Sequence, residues 1–229
     1  RQRQSCIRDS GGIDRTKATF MNPEFPPQLG GAASAATLIR HVRSLANETR
    51  DNLLLDSGDF FQGRPVGTVT NGAALIEYMN AIGYEGLALG NHEFDISSEE
   101  LVETLRLADF PLLSCNIIDK RTGEIPWFLY PYYLYDRMGV RIAVVGYTTT
   151  DTKLMSFPEN IKNFDFVEGA EVLQHWVDVV RTEEKADVVI VLGHAGIPYD
   201  PVEGYLSRYD AKGTPLFEER NAVWGYDAQ

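Results

Sequence analysis

The amino-acid sequence predicts an α/β fold with a largely parallel β-sheet and helices on its outside. Short apolar runs of strand length alternate along the chain with segments in which apolar residues recur at helical spacing. This alternation is typical of β-α-β units. Several of the apolar runs are uninterrupted, as expected for strands that are covered on both faces.

Four segments have the apolar spacing of amphipathic helices. They comprise residues 31–46, 75–82, 97–108 and 173–180. In the first, the residues predicted to face the core are Ala35, Leu38, Ile39, Val42, Leu45 and Ala46. In the third, Ser97 and Glu100 have the spacing of a capping box.

Apolar runs and turn residues mark the predicted strands. These are residues 52–59, 86–89, 110–116 and 187–194, together with a hairpin formed by 130–136 and 140–146. The turn of the hairpin is predicted at residues 137–139. Residues 62–72 are rich in Gly and Pro and are predicted to form a loop.

The length and composition fit one globular domain over residues 1–229, since the chain has 229 residues of which 44% are hydrophobic. A formal charge of −12 argues against a nucleic-acid polymer as the main partner. It suits a protein that concentrates divalent cations, and equally an ordinary acidic protein. No apolar run is long enough for a membrane span.

Cys6 and Cys115 predict neither a zinc site nor a disulfide framework, and Cys115 is predicted to be a buried small hydrophobic residue.

Polar side chains follow three of the predicted strands. Asp59 ends the run 52–59, Asn91, His92 and Asp95 follow the run 86–89, and His194 ends the run 187–194. The carboxyl ends of parallel strands meet at one edge of a sheet, so we expect these side chains to form one site.

Taken singly, each of these residues has an ordinary explanation. Asp59 and Asn91 are common turn residues beside glycine, and His194 suits a hydrogen-bonded histidine at a sheet edge. Together, a carboxylate, a carboxamide and an imidazole form a ligand set for Mn²⁺, Zn²⁺, Fe or Co. Asp56 is predicted to brace the loop that carries Asp59, whereas His41 and His175 are predicted to be surface residues.

Several sequence strings resemble the calcineurin-like metallophosphoesterases. Gly-Asp (58–59), Gly-Asn-His-Glu (90–93) and Gly-His (193–194) are similar to the middle three metal motifs of that family. The longer strings Leu-Leu-Leu-Asp-Ser-Gly-Asp-Phe-Phe-Gln-Gly (53–63) and Leu-Gly-Asn-His-Glu-Phe-Asp (89–95) resemble its 5′-nucleotidase and UDP-sugar hydrolase branch.

The resemblance implies a four-layer α/β/β/α sandwich, incomplete here, that binds two divalent metal ions (Mn, Zn, Fe, Co or Mg). It implies that Asp59 bridges both ions and that Asn91 and His194 complete one of them. A metal-bound hydroxide would then attack the phosphorus of a nucleotide phosphomonoester. His92, oriented by Asp95, would stabilise the transition state or protonate the leaving oxygen.

Two outer motifs of that family are absent from the sequence. No Asp-x-His precedes residue 30 and no Gly-His-x-His follows His194, and the C-terminal specificity domain of 5′-nucleotidases is absent too. Either the sequence is a fragment of a longer enzyme, which we favour, or it comes from a divergent member of the family that has lost one of the two metal ions.

The alternatives to a nucleotidase are a catalytically inactive module that binds metal or a phosphate ester, and a cyclic-nucleotide phosphodiesterase or thiosulfate-ester hydrolase. The resemblance also implies a periplasmic, cell-surface or secreted protein.

Overall fold

The structure is a computed structural model, and it describes residues 31–46, 51–63 and 65–195. The helices are α1 Ala32–Ser44, α2 Pro65–Val69, α3 Ala73–Ile82, α4 Ser98–Leu105, α5 Thr152–Met155 and α6 Ala170–Thr182, with a 3₁₀ helix at His92–Asp95. The strands are β1 Leu55–Asp56, β2 Gly86–Ala88, β3 Leu112–Leu113, β4 Ile117–Asp119, β5 Tyr132–Arg137, β6 Val140–Thr148, β7 Phe164–Phe166 and β8 Val188–His194. The predictions for Cys6 and for the two missing motifs fall outside the described residues.

The strands form separate sheets rather than the one largely parallel sheet that the sequence predicts. One sheet has the order β1-β2-β3 and is parallel throughout. A second has the order β5-β6-β8, in which β5 and β6 are antiparallel and β6 and β8 are parallel. A third contains β4 and β7. The α/β class is confirmed, but the helical and apolar periodicities did not indicate how the strands divide among sheets.

The two larger sheets come into contact where β3 meets β6. The backbone N–H of Cys115 donates to the Gly146 carbonyl oxygen at 2.8 Å. A Cβ atom on Gly146 would lie 2.5 Å from the Leu113 carbonyl carbon, which is far too close for two carbon atoms. Glycine is therefore required at this crossing. Cys115 is 1% exposed, which confirms that it is a buried hydrophobic residue.

Local sequence signals predicted several elements correctly. α3 ends at Gly83, whose φ of 81° is that of a left-handed helix cap. Ser97 and Glu100 form the predicted capping box at the start of α4. The predicted hairpin is β5 and β6, and its turn residues Met138 and Gly139 both have positive φ.

Other local predictions were wrong. Leu38 and Val42 of α1 and its C-cap residue Leu45 are 59%, 46% and 45% exposed. Only part of the predicted apolar face is therefore buried, namely Ala35, while Ile39 packs partly buried against the core. The buried residues of α1 are Ala35 and Ala36. The predicted loop 62–72 contains the short helix α2. Within the described ranges, no helix has the length and apolar character needed to cross a membrane.

Candidate functional site

The predicted metal ligands lie at the carboxyl ends of three strands. Asp59 follows β1, Asn91 follows β2, and His194 is the last residue of β8. Although β8 belongs to a different sheet, the His194 Nε2 atom lies 3.1 Å from Asp59 Oδ2 and 3.2 Å from Asn91 Oδ1. The three side chains therefore lie together, and their role as metal ligands stays a prediction.

The tautomer of His194 follows from its second ring nitrogen. Nδ1 lies 2.8 Å from the carbonyl oxygen of Ser57. A carbonyl oxygen only accepts hydrogen bonds, so Nδ1 carries a hydrogen. In the neutral ring, Nε2 then presents a lone pair toward the side-chain oxygens of Asp59 and Asn91. Three electron-pair donors at this distance repel one another, and a proton or a metal ion among them relieves that repulsion.

The electrostatic environment of His194 favours such a cation. Burial disfavours the charged imidazole and acts to lower its pKa, but the hydrogen bond to Asp59 and the charge of that carboxylate outweigh burial. The pKa of His194 is therefore raised above its ordinary value. The same negative field attracts a divalent ion.

Asp59 is held in place by its loop. Its backbone φ of 57° lies in the left-handed region, which is uncommon for a residue other than glycine. Its Oδ1 atom accepts a hydrogen bond from the His92 backbone N–H at 2.9 Å, so that Oδ2 faces His194. Asp56 braces the loop as predicted, since its Oδ1 accepts from the Gly58 N–H at 2.9 Å.

Gly90 gives the ligands room to approach one another. A Cβ atom at this position would overlap the Asp59 side chain and lie 2.9 Å from the His194 ring. Any other residue would push the carboxylate and the imidazole apart. The glycine at the end of β2 is thus a steric requirement of the site.

Glu93 connects the loop after β1 to the loop after β2. Its fully buried carboxylate accepts three backbone hydrogen bonds, from Asp59 and Phe60 at 2.8 Å and from Gly90 at 2.6 Å. Burial and the nearby charge of Asp59 raise the pKa of Glu93 to about 7, against the opposing effect of the three N–H donors. One side chain therefore fixes the start of both ligand-bearing loops.

His92 and Asp95 form a second pair on the same loop. They are three residues apart in the 3₁₀ helix, and His92 Nδ1 lies 2.7 Å from Asp95 Oδ2. Gln62 also donates from Nε2 to Asp95 Oδ2 at 2.7 Å. The predicted contact is present, and it leaves His92 Nε2 as the ring nitrogen that can act on a substrate.

The comparison with known families decides the class of protein. Residues 28–223 match the family described as calcineurin-like phosphoesterase. The chain belongs to the calcineurin-like phosphoesterase family. The assignment indicates a phosphoester hydrolase, and members of the family generally use divalent metals.

Relatives of this phosphoesterase include several 5′-nucleotidases. It is 37% identical over 167 residues to a 5′-nucleotidase of Vibrio cholerae, covering 72% of this chain and 30% of that one. It is 37% identical over 177 residues to a 5′-nucleotidase of Rattus norvegicus, covering 75% of this chain and 29% of the other. The predicted 5′-nucleotidase branch is confirmed, and the chain spans about 30% of the length of these relatives.

Solved structures support the same fold. A 5′-nucleotidase precursor from Thermus thermophilus superposes with a TM-score of 0.68 at 30% identity, over 77% of this chain and 34% of that one. The Thermus thermophilus sulfate thiohydrolase SoxB superposes with a TM-score of 0.68 at 29% identity, over 74% and 31% of the two chains. The predicted metallophosphoesterase fold is confirmed.

The residues present fit a divalent metal ion. In the ranges that the structure describes, no cluster of three or more His, Cys, Asp or Glu side chains is placed to hold a metal. The set that converges contains Asp59 and His194, and its third member is the amide oxygen of Asn91. Such a mixed carboxylate, amide and imidazole set suits borderline-hard divalent ions.

Three supporting residues of this phosphoesterase were missed or only partly foreseen. For Glu93, no pattern in the sequence indicated that its carboxylate is buried between two strand ends. Gln62 lies in the predicted loop, where no spacing indicates a contact with Asp95. Ser156, after α5, donates from its hydroxyl to the Asn91 carbonyl oxygen at 3.3 Å. Only the hydroxyl-rich run at residues 148–152 hints that this segment approaches the site.

Proposed function

We propose that this chain carries the metallophosphatase domain of a metal-dependent nucleotide phosphomonoesterase. The observation that carries the proposal is the convergence of Asp59, Asn91 and His194 beside the His92–Asp95 pair. The names of the relatives from Vibrio cholerae and Rattus norvegicus support a nucleotide as the substrate.

The hydrogen bonds of the proposed ligands fix their orientation, and the family resemblance supplies their roles. Asp59 presents Oδ2 toward His194 while its Oδ1 is held by the His92 N–H, so the carboxylate has a fixed orientation. As the family resemblance implies, Asp59 would be shared by two divalent ions, and Asn91 and His194 would hold one of them. When bound, the ions supply a nucleophile from water near neutral pH and offset negative charge on the phosphoryl oxygens.

His92 acts on the substrate rather than on the ligands. Its Nδ1 is engaged by Asp95, which is itself held by Gln62. The ring is therefore oriented before the substrate binds. Nε2 donates a hydrogen bond to a phosphoryl oxygen or passes a proton to the leaving oxygen.

Thiosulfate-ester hydrolysis is the second candidate. It is favoured by the similarity to the sulfate thiohydrolase SoxB, whose TM-score equals that of the Thermus nucleotidase precursor. Both reactions require a tetrahedral anionic group at the same strand ends. A direct comparison of AMP with a thiosulfate ester as substrates separates the two candidates.

The test uses the full-length protein with AMP and p-nitrophenyl phosphate. We expect phosphate release with Mn²⁺, and loss of this activity with a chelator or with Asp59→Asn. The substitution keeps the shape of the side chain but removes the charge that the ions require. The matched control is Asp178→Asn, because Asp178 lies on α6 and its side chain accepts a hydrogen bond from Gln174 within that helix.

The outcomes separate the hypotheses. Activity that survives both the chelator and Asp59→Asn contradicts the proposal. Metal binding without turnover of any of these substrates identifies the inactive binding module instead. The single domain over residues 1–229 is a proposal that rests on length and composition, whereas the pair of metal ions and an exported location are proposals that rest on the family resemblance.

A further inference from the structure

The proposed ligands come from two different sheets. Asp59 and Asn91 follow strands of the β1-β2-β3 sheet, whereas His194 ends a strand of the β5-β6-β8 sheet. A metal ion that joins them needs a fixed spacing between the sheets. The contacts that set this spacing directly beneath the site therefore bear on metal affinity.

Thr148 makes such a contact. It is the last residue of β6 and lies opposite His194 in the parallel β6–β8 register. Its hydroxyl donates to the carbonyl oxygen of Leu89 at 2.8 Å. Leu89 directly follows β2 and lies two residues before Asn91. One hydroxyl thus links β6, the strand beside that of His194, to the segment that leads into Asn91.

The hydroxyl of Thr148 is part of a completely buried network. Thr148, Ser114 and Asn116 are each 0% exposed. The Ser114 hydroxyl lies 3.0 Å from Thr148 Oγ1, and Asn116 Oδ1 accepts from the Thr148 N–H at 2.9 Å. Asn116 Nδ2 donates to the Thr148 carbonyl oxygen at 2.7 Å. These bonds fix the Thr148 side chain and backbone together, so its hydroxyl has one orientation.

We propose that Thr148 is a positioning residue that sets the separation of Asn91 and His194 and thereby the metal affinity of the site. The inference rests on the proposed function, because it needs a metal at these ligands. Groups that orient metal ligands without touching the metal typically change its affinity by about 10- to 100-fold when they are removed. A threonine that served only the core would change stability and leave the affinity unaltered.

The test is a titration of the full-length protein with Mn²⁺ by isothermal calorimetry. Thr148→Val keeps the shape of the side chain but removes the hydroxyl, which leaves the Leu89 carbonyl oxygen without its donor. We expect about a 10- to 100-fold weaker Kd for Mn²⁺. Thr148→Ser keeps the hydroxyl, and we expect it to retain an affinity near that of the wild type.

The matched control is Thr104→Val. Thr104 is 6% exposed and its hydroxyl donates to the Asn71 carbonyl oxygen at 3.0 Å, so it makes the same type of bond between two segments. It lies on α4, whereas Thr148 lies on β6 directly beside the strand that carries His194. We expect this variant to lose stability without any change in the Kd for Mn²⁺.

The possible outcomes are distinct. A Thr148→Val protein that is folded by circular dichroism and binds Mn²⁺ as tightly as the wild type overturns the role of Thr148 and leaves the proposed function standing. A wild-type protein that binds no Mn²⁺ overturns both. Should Thr148→Val not fold, Thr148→Ala takes its place with the same expected loss, and an unchanged Kd there overturns the inference equally.

Discussion

At the scale of single residues, the site separates the three proposed metal ligands from His92, the residue proposed to act on the substrate. His92 is bonded through Nδ1 to Asp95, and its backbone N–H is bonded to Asp59. His92 is thus fixed relative to the proposed metal ligands without being one of them. Two roles fit this geometry, namely stabilising charge on a phosphoryl oxygen and protonating the leaving oxygen.

Substitution of His92 distinguishes these two roles. We expect His92→Ala to lower kcat for AMP by about 10²- to 10⁴-fold, the usual contribution of a general acid, while Mn²⁺ binding is retained. If His92 protonates the leaving oxygen, the loss is much smaller with p-nitrophenyl phosphate, because p-nitrophenolate leaves readily without a proton. Steady-state kinetics with both substrates measure the difference.

The control for His92 is His175→Ala. His175 is exposed on α6, where its ring lies 5.1 Å from that of Trp176. This substitution should leave both rates unchanged. A His92→Ala protein with wild-type kcat on both substrates would contradict the role of His92 in the reaction.

The residues of the site could be predicted to different degrees from the sequence. Asp59, Asn91 and His194 each follow an apolar run, and such positions carry chemistry in α/β proteins because strand ends share an edge. The His92–Asp95 contact follows from a spacing of three residues in a helical turn. The contacts of Glu93 depend on the distance between two loops that are about 30 residues apart, and no local pattern contains that distance.

At the scale of elements, the crossing of β3 and β6 determines how the two sheets meet. Gly146 lies in β6 with its backbone against that of Leu113, and its carbonyl oxygen accepts from Cys115. A methyl group at this position forces the strands apart. The crossing lies two residues before Thr148, so any displacement reaches the site.

Gly146→Ala is expected to destabilise the fold by about 1–3 kcal/mol through overpacking. The control is Gly193→Ala on the neighbouring strand β8, where a Cβ atom meets no atom of the described residues within 4 Å. We expect that variant to remain within about 0.5 kcal/mol of the wild type, as for most exposed positions. Urea denaturation measures both values, and equal free energies of unfolding for the two variants would contradict the steric explanation.

The elements also show which signals in a sequence are decisive. The capping box at Ser97 and the turn at Met138–Gly139 were predictable because their hydrogen bonds and dihedral angles are local. The buried face of α1 was predictable only in part, because periodicity identifies a helix but not the elements that cover it. Helix α2 was missed since Pro65 and Gly67 favour a loop, although proline suits the first position of a helix.

At the scale of the whole molecule, the proposed metal site lies where two sheets meet. One sheet supplies Asp59 and Asn91, and the other supplies His194. Two hydrogen bonds connect the sheets at this site, one from the buried Thr148 hydroxyl to the Leu89 carbonyl oxygen and one between His194 Nδ1 and the Ser57 carbonyl oxygen. The division of the strands between sheets was not predictable from their sequences, but the convergence of their carboxyl ends was.

The central claim is that Asp59, Asn91 and His194 bind one divalent ion between the sheets. Crystals of the full-length protein grown with Zn²⁺ and measured at the zinc absorption edge test it most directly. We predict an anomalous peak about 2.0–2.2 Å from Asp59 Oδ2, Asn91 Oδ1 and His194 Nε2, the usual range for zinc bound to oxygen and nitrogen. A peak that lies away from these three atoms, or none at all, would contradict the account.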